Sequence, residues 1–410
     1  MNKLQIKIFI LASLISTLGS ALTNIALSYR FLLDDINFGT SYGILMFAAS
    51  ISSIIISPII GFYIDRTYNY KFLLIFSEII MGIIIVLFSI TYNIFFASCL
   101  IIIQTILSIL ISSIIFKLLP SVLNKKELFK INISLENINT YGFIFGPLIA
   151  PLVILIVHSD TSLFIIDSIT FFCSATLNFI VINKLIIPQH DTQTESKNIN
   201  LLNLIFKDFN GLKEIENFKK VSLALCTYFI SFSAMAYSLA LIANNIVHQD
   251  KILYSIPIIS MFIGRIIGLK FISRLNLIQN NISILFIISL IGSAIIMIPL
   301  GLIKSIILLS ILEFILGIFI AITKVSERTY LQYKIPNQFL GKIGSLRQAI
   351  QLSVKLISVP LVILLSQYIN LFAVSLVLGL LYALSAFIFL SEDKDKKIIN
   401  FLKSRKHFTN

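Results

Sequence analysis

The chain is strongly apolar and carries an excess of positive charge. It has 410 residues, of which 57% are hydrophobic and 12% are charged, and its formal net charge is +13. Soluble domains contain about 25% charged residues, and a core in water cannot absorb this much apolar surface. The composition therefore excludes an ordinary soluble domain and predicts that the bilayer is the solvent.

Twelve apolar runs predict the secondary structure. Each run approaches or exceeds the roughly 20 residues that cross a bilayer as a helix, whereas strands usually span about 4–8 residues. The predicted helices are 6–29, 41–60, 72–91, 94–116, 131–157, 161–183, 221–247, 252–272, 281–302, 305–325, 342–366 and 370–390. The first run resembles a signal peptide, but it has no clear cleavage site, so we interpret it as a retained helix. The predicted fold class is an all-α membrane protein with twelve transmembrane helices in two pseudo-symmetric six-helix bundles.

The positive residues predict the orientation. With the N-terminus in the cytoplasm, all but five of the 32 lysines and arginines fall on the cytoplasmic side. The exceptions are Arg30, Lys251 and Lys304 on the opposite side and Arg265 and Lys355 within spans. This asymmetry places both termini in the cytoplasm. Because the charge is spread over many short loops, we do not expect nucleic acid as a partner.

A long polar stretch divides the helices six and six. We expect an N-terminal six-helix bundle at 1–184, a cytoplasmic linker at 185–220, a C-terminal six-helix bundle at 221–390 and a basic cytoplasmic tail at 391–410. Within the linker, LLNLIFKDFNGLKEI has apolar residues at helical spacing, which is typical of a helix on the membrane surface and equally of a plain linker.

The two halves carry a faint repeat. Shifted by 211 positions, Ser134-Leu135-Glu136 falls on Ser345-Leu346-Arg347, and both segments have a proline before and a proline within the following helix. Internal repeats of this kind are typical of transporters.

The stretch GFYIDRTYNYK, residues 61–71, places charges in a short turn between two apolar runs. It resembles the loop 2–3 signature of the major facilitator superfamily, through Gly61, Asp65, Arg66 and Lys71. The glycine that usually follows the Asp-Arg pair is missing. The resemblance implies a cytoplasmic gating contact, and we expect Asp65 to accept hydrogen bonds from the N-terminus of helix 11, near Lys342 to Ser345. The alternative is a plain positive-inside anchor, which has no need of Asp65.

Helix 5 carries a second motif of that superfamily. TYGFIFGPLIAP is similar to the glycine-proline motif of its exporters through Gly142, Gly146 and Pro147, although Ala150 and Pro151 replace its last glycines. The functional interpretation is a reduced proton leak, but we favour close helix packing, since Gly142 and Gly146 form a small-xxx-small pair.

Two further segments narrow the resemblance. ISTLGSALTNIAL and LLPSVLNKKELFKINISLENI resemble the branch that holds macrolide-efflux proteins and the enterobactin exporter. The resemblance implies a monomeric secondary transporter of the bacterial inner membrane, in which two bundles alternate access to a central site. Its partners would be a small-molecule substrate, protons and membrane lipid.

Ionisable residues inside the spans are functional candidates. They are Glu78, Glu136, Asp167, Arg265, Glu313 and Lys355. The resemblance puts helices 3 and 6 outside the cavity, so Glu78 and Asp167 are expected to be structural or interfacial. Arg265 and Lys355 are candidates for binding an anionic substrate, or for pairing with Glu313. Gln104 is the main polar residue of helix 4, and Glu313 is the first candidate for a proton carrier.

The substrate prediction depends on an acidic residue that the predicted cavity lacks. Members of this branch often have an aspartate after the helix 1 glycine, but here Gly19 is followed by Ser20. The cavity therefore favours an anion such as a siderophore, exported in exchange for protons. Uptake of such a compound and multidrug efflux are the alternatives. No convergent set of His, Cys and Asp indicates an enzyme, a metal site or a cofactor.

Overall fold

Long α-helices account for nearly all of the chain that the computed structural model describes. The described residues are 3–33, 40–67, 69–182, 218–247, 251–274, 282–368 and 370–392. Within them, 12 helices are long and apolar enough to cross a membrane, and no strand occurs. The predicted fold class is confirmed.

The helices are numbered in chain order. Their bounds are α1 Lys3–Ser28, α2 Thr40–Arg66, α3 Tyr70–Ser89, α4 Ile94–Val122, α5 Lys125–Val157, α6 Thr161–Ile182, α7 Phe218–Val247, α8 Lys251–Arg274, α9 Ile282–Met297, α10 Ile306–Lys334, α11 Leu340–Tyr368 and α12 Leu371–Glu392. A π-helical turn, Tyr29–Leu33, follows α1, and 3₁₀ turns at Ile298–Leu302 and Asn337–Phe339 follow α9 and precede α11.

Several helices continue beyond the apolar runs, and this corrects one prediction. Most of the stretch 61–71 is helical and not a turn: α2 continues to Arg66, and α3 begins at Tyr70. Likewise, α5 begins at Lys125, six residues before the predicted span, because Asn124 and Glu127 form a capping box there. Hydropathy detects the segment that matches the bilayer, whereas caps and backbone hydrogen bonds decide where a helix ends.

The described helices fall into two units. The first contains α1–α6 together with residues 331–356, and the second contains α7–α9, residues 306–330 of α10, residues 357–368 of α11, and α12. Most of the predicted linker lies outside the described residues, as do its surface helix and nearly all of the basic tail, whereas residues 218–220 form the start of α7. The division into two bundles at 185–220 stays a prediction.

In the first unit, α1 packs against α5 and α6, α3 against α4 and α6, and α2 against α4. Two glycines of α5 permit the contact with α1. A Cβ atom on Gly146 would lie 2.7 Å from the Cβ of Ala21, and one on Gly142 would lie 3.1 Å from Cγ2 of Thr17. These contacts agree with the packing interpretation of the helix 5 motif. The third residue of the motif, Pro147, lies inside α5.

In the second unit, α12 packs against α7 and α9. A separate backbone crossing joins α8 to α10. A Cβ atom on Gly264 would lie 2.0 Å from the carbonyl oxygen of Phe314, and one on Gly317 would lie 2.1 Å from that of Met261. Small residues are what such a close approach requires.

Candidate functional site

The last turn of α2 reaches the first turn of α11 through Asp65. The carboxylate Oδ1 accepts a hydrogen bond of 2.7 Å from the backbone N–H of Gly341, and Oδ2 accepts one of 3.0 Å from that of Lys342. The first N–H groups of a helix have no partner within the helix, and the N-terminus attracts negative charge. Asp65, which is only 9% exposed, therefore acts as an N-cap supplied by another helix. This is the contact that the sequence predicted.

Two glycines allow α2 and α11 to approach closely enough for these bonds. A Cβ atom on Gly61 would lie 2.6 Å from the Cα of Lys342 and 2.4 Å from Oγ of Ser345. A Cβ atom on Gly341 would lie 2.5 Å from Oδ1 of Asp65. A side chain at either position would push the two helices apart.

Lys117 of α4 completes the contact from the other side. Its Nζ lies 3.3 Å from Oδ1 of Asp65 and donates to the carbonyl oxygens of Ile64 and Asp65 at 3.0 and 3.1 Å. It also lies 5.1 Å from the centre of the Tyr70 ring. Sequence reasoning counted Lys117 only as a cytoplasmic charge. The lysine at the end of an apolar run was the available signal, but its partners lie more than 50 residues away.

Arg66 occupies a different place from its neighbour Asp65. Its side chain is exposed, and the guanidinium lies 3.9 Å from the centre of the Phe62 ring. This is a cation–π contact within α2. The side chain of Lys71 lies outside the described part.

Further polar contacts join residues 331–356 to α4 and α5. Asn132 Nδ2 donates to Gln332 Oε1 at 2.7 Å, and Gln332 Nε2 donates to the carbonyl oxygen of Phe116 at 3.0 Å. The hydroxyl of Tyr333 donates to the carbonyl oxygen of Lys125. All of these bonds lie within the first unit, to which residues 331–334 of α10 belong.

A third group of contacts lies deeper along α2. The hydroxyl groups of Ser53 and Ser353 are 3.2 Å apart, and Ser50 donates to the carbonyl oxygen of Leu352 at 3.2 Å. The Asp65 end of the first unit is thus held by polar contacts to a segment that is remote in sequence.

The candidate substrate and coupling residues are divided between the units. Gln104 and Lys355 belong to the first unit, and Arg265 and Glu313 to the second. Gln104 has a buried Oε1 without a hydrogen bond partner among the described residues, and Lys355 is an exposed side chain near the middle of α11. Arg265 is 4% exposed and lies next to Gly264 at the crossing of α8 and α10.

Glu313 lies on the other side of that crossing, next to Phe314. It is 1% exposed, and its Oε1 has no hydrogen bond partner in the described part of the chain. A buried carboxylate of this kind either carries a proton or depends on a nearby charge.

Arg30 forms a polar cluster that sequence reasoning missed. Its Nε lies 2.7 Å from Oδ2 of Asp160, and Nη1 donates to the carbonyl oxygens of Phe88 and Thr91 at 2.6 and 3.0 Å. Nη2 donates to the hydroxyl of Thr161 at 3.3 Å. Arg30 therefore joins the end of α3 to the start of α6. The available signal in the sequence was that Arg30 is one of only three basic residues predicted on the side opposite the cytoplasm.

Comparison with known proteins gives the family. A family model of the Major Facilitator Superfamily matches residues 9–358. No curated protein sequence matches the chain.

Solved structures share the fold at low sequence identity. The human organic anion transporter MFSD10 (TETRAN) is 10% identical with a TM-score of 0.75, and the match covers 94% of this chain and 98% of that one. A bacterial homologue of the iron transporter ferroportin, in an outward-facing state, is 14% identical with a TM-score of 0.71 and coverages of 95% and 99%. The E. coli fucose:proton symporter FucP is 14% identical with a TM-score of 0.71 and coverages of 95% and 98%. Since the family match spans most of the chain and the twelve helices agree with it, the protein belongs to the major facilitator superfamily.

Proposed function

We propose that the protein is a secondary active transporter that works by alternating access and exports a small organic anion, such as a siderophore, in exchange for protons. The observation that carries the proposal is the set of polar contacts between the Asp65 end of the first unit and residues 331–356. Such contacts can be broken and remade in a cycle without exposing a large apolar surface.

In this proposal Asp65 and Gly61 form a gate with the start of α11. A carboxylate at a helix N-terminus contributes about 0.3–1 kcal/mol when exposed and up to about 2 kcal/mol when partly buried. Because about 1.4 kcal/mol corresponds to a tenfold change in an equilibrium, this contact alone biases an open–closed equilibrium several-fold. The excess of basic residues in the predicted cytoplasmic loops supports a gate on the cytoplasmic side, with both termini cytoplasmic. The bacterial inner membrane is the location that the family resemblance implies. Arg66 would then anchor the same end of α2 at the headgroups.

Arg265 and Lys355 are the proposed ligands of the anionic substrate, with Gln104 as an additional polar contact. The guanidinium group offers a planar fork that matches a carboxylate. An unpartnered amide oxygen, as in Gln104, is an acceptor for a substrate hydroxyl or amide group. An organic anion transporter is among the proteins that share this fold, but the likeness extends to the fold alone.

Glu313 is the proposed proton carrier. Its burial and its unpartnered oxygen support this role, since a membrane-embedded carboxylate without a partner is a functional candidate. The alternative is that Glu313 pairs with Arg265 or Lys355. In that case Glu313→Gln would leave the basic residue without its partner, and transport would still depend on protons.

Two other functions remain as alternatives. The protein is an importer of the same class of compound if substrate moves with the protons, as the name of the fucose:proton symporter indicates for that neighbour. It is a multidrug efflux pump if the macrolide-efflux side of the predicted branch applies. The mildly basic set Arg265 and Lys355 disfavours cationic drugs only.

The test compares metabolites inside and outside cells under iron limitation. Cells without the protein, with it, and with the Glu313→Gln variant are analysed by mass spectrometry. We expect a metal-chelating compound to accumulate inside cells that lack the protein and to disappear from their medium, and Glu313→Gln to resemble the deletion. Normal export with failed uptake would instead identify an importer. No change in either pool would contradict siderophore transport.

A further inference from the structure

Helices α3 and α6 of the first unit share a buried carboxyl group that the proposed transport mechanism does not use. Glu78 of α3 is 3% exposed. Its Oε1 accepts a hydrogen bond of 2.9 Å from the hydroxyl of Ser174 and one of 2.8 Å from Nδ2 of Asn178, both on α6. These two donors are neutral.

Two acceptor atoms of this cluster lack a donor. Oε2 of Glu78 and Oδ1 of Asn178 are both buried, and neither has a hydrogen bond partner among the described residues. An ionised carboxylate and an amide oxygen can only accept hydrogen bonds. If Glu78 were ionised, the pair would leave two acceptors unsatisfied and an uncompensated charge in a membrane-spanning helix, which is strongly unfavourable.

The charged and titratable groups of the surrounding helices are engaged elsewhere or exposed. In α4, which packs on α3, Lys117 is bound to Asp65, and Cys99 is exposed. On α3 itself, Tyr70 lies near Lys117, and the side chain of Lys71 lies outside the described part.

The same holds for α6 and for α1, which packs on it. On α6, Cys173 is exposed. Asp167 is buried, its Oδ1 accepts a hydrogen bond of 3.0 Å from Thr170, and its Oδ2 has no hydrogen bond partner among the described residues. On α1, Lys3 and Lys7 are exposed near the N-terminus. The interactions found for the described residues link none of these groups to Glu78.

We propose that Glu78, Asn178 and Ser174 form a proton-binding site. In this site Oε2 of Glu78 takes a proton from solvent, and the resulting O–H group donates a hydrogen bond to Oδ1 of Asn178. With the existing bond from Nδ2 to Oε1, this closes a cyclic acid–amide pair. One proton provides the donor that both orphaned acceptors lack and removes the buried charge. The site joins α3 to α6 as a neutral contact and is separate from Glu313, which lies in the second unit.

A bound monovalent cation is the competing occupant, because a cation also satisfies unpaired oxygen atoms. It differs from a proton in leaving Glu78 ionised and in depending on sodium or potassium. The experiment therefore reads the protonation of the carboxyl group directly and varies the salt.

Infrared difference spectra of the full-length protein in lipid nanodiscs at neutral pH test the proposal. We expect the wild-type spectrum to contain a carbonyl-stretch band of a protonated carboxylic acid that is lost in Glu78→Gln. The band should shift in Asn178→Leu, which removes the acceptor, and should not change when sodium chloride is replaced by choline chloride. Asp65→Asn is the matched control. Because Asp65 faces Lys117 and two backbone N–H groups, we expect it to be ionised. Asp65→Asn should therefore remove carboxylate absorption and leave the protonated-acid bands unchanged.

Thermal unfolding of the same samples supplies a second readout. Gln is nearly isosteric with a protonated Glu and provides the same donor and acceptor, so Glu78→Gln should unfold at the wild-type temperature. Loss of a carboxylate band in Glu78→Gln would overturn the proposal. So would a marked loss of stability in that variant, or sodium-dependent unfolding in the wild type, and the sodium dependence would assign the site to a cation.

Discussion

At each of two ends of the first unit, a buried charged side chain binds the terminus of a helix, but the partners differ. At one end, the buried cation Arg30 binds the carbonyl group of Phe88 in the last turn of α3, that of Thr91 just beyond it, and the carboxylate of Asp160. At the other end, the buried anion Asp65 binds the first N–H groups of α11. Each charge meets the helix terminus of opposite polarity.

The difference lies in where the partners come from. Arg30 draws its partners from α3 and α6 and the segments beside them, which belong to the same six helices. Asp65 draws two of its partners from Gly341 and Lys342, in the second half of the sequence. We infer that the Arg30 end is a permanent fastening and the Asp65 end a releasable one. Substitutions at the two ends should therefore distinguish a loss of stability from a loss of gating.

The largest expected effect is on stability, in Arg30→Ala. Breaking a buried pair costs about 3–5 kcal/mol, and we expect the lower end of that range, since the side chain of Asp160 is 25% exposed. The substitution also leaves the carbonyl groups of Phe88 and Thr91 without their donor. Denaturation of the purified protein measures the loss. An unchanged stability would mean that the Arg30 cluster is not a fastening.

Gly61→Ala should act at the opposite end. The added Cβ would lie 2.6 Å from the Cα of Lys342, and overpacking of this kind costs about 1–3 kcal/mol. We expect reduced transport together with a moderate fall in the unfolding temperature. Gly43→Ala in the same helix is the control, because no atom lies within 4 Å of its added Cβ. Equal effects of the two substitutions would show that the contact with α11 is not responsible.

Asp65→Asn keeps the shape of the side chain but removes its charge. We expect a loss of about 1.4 kcal/mol, within the range for a partly buried carboxylate at a helix N-terminus, and therefore an opening of the α11 contact that is roughly tenfold more frequent. The rate at which a thiol reagent labels a cysteine placed at buried Ser345 measures that opening, once the native cysteines are replaced. Asp160→Asn, at the Arg30 end, should leave the labelling rate unchanged. Faster labelling in that control as well would remove the distinction between the two ends.

The smallest effect is expected for Arg66→Ala. Its cation–π contact with Phe62 is exposed and contributes about 0.5–1 kcal/mol. Stability should fall by that amount, and the labelling rate at position 345 should stay near the wild-type value. If Arg66→Ala instead matched Asp65→Asn, Arg66 would be part of the gate rather than an anchor.

The sequence was sufficient for the fold and for one contact of the candidate site. Apolar runs of about 20 residues leave helices as the structure that satisfies the backbone in lipid, so the number of spans could be predicted. The contact of Asp65 with the start of α11 was also predicted, near Lys342 to Ser345, although one of its two donors, Gly341, lies just before that range. The helical state of residues 61–66 was not, because polar residues in a last helical turn resemble a loop in a hydropathy pattern.

Residues whose roles depend on distant partners could not be identified in this way. Lys117 binds Ile64 and Asp65, and Arg30 binds Asp160, across separations of 52 to 130 residues. Nothing local distinguishes these two side chains from other basic residues near helix ends. The cluster of Glu78 with Asn178 was hidden for the same reason, since its meaning depends on which atoms remain unpaired after α3 packs on α6.

Cross-linking tests most directly whether α2 and α11 must separate during transport. Cysteines replace Ser53 and Ser353, whose hydroxyl groups are 3.2 Å apart, in a variant without the three native cysteines. A second variant carries cysteines at Ser89 and Thr161 of the Arg30 end, where Oγ1 of Thr161 lies 3.5 Å from the carbonyl oxygen of Ser89. Export of the chelating compound is measured before and after oxidation, and again after reduction. The account predicts that the 53–353 disulfide stops export reversibly and the 89–161 disulfide does not. Continued export with the 53–353 disulfide fully formed would contradict it.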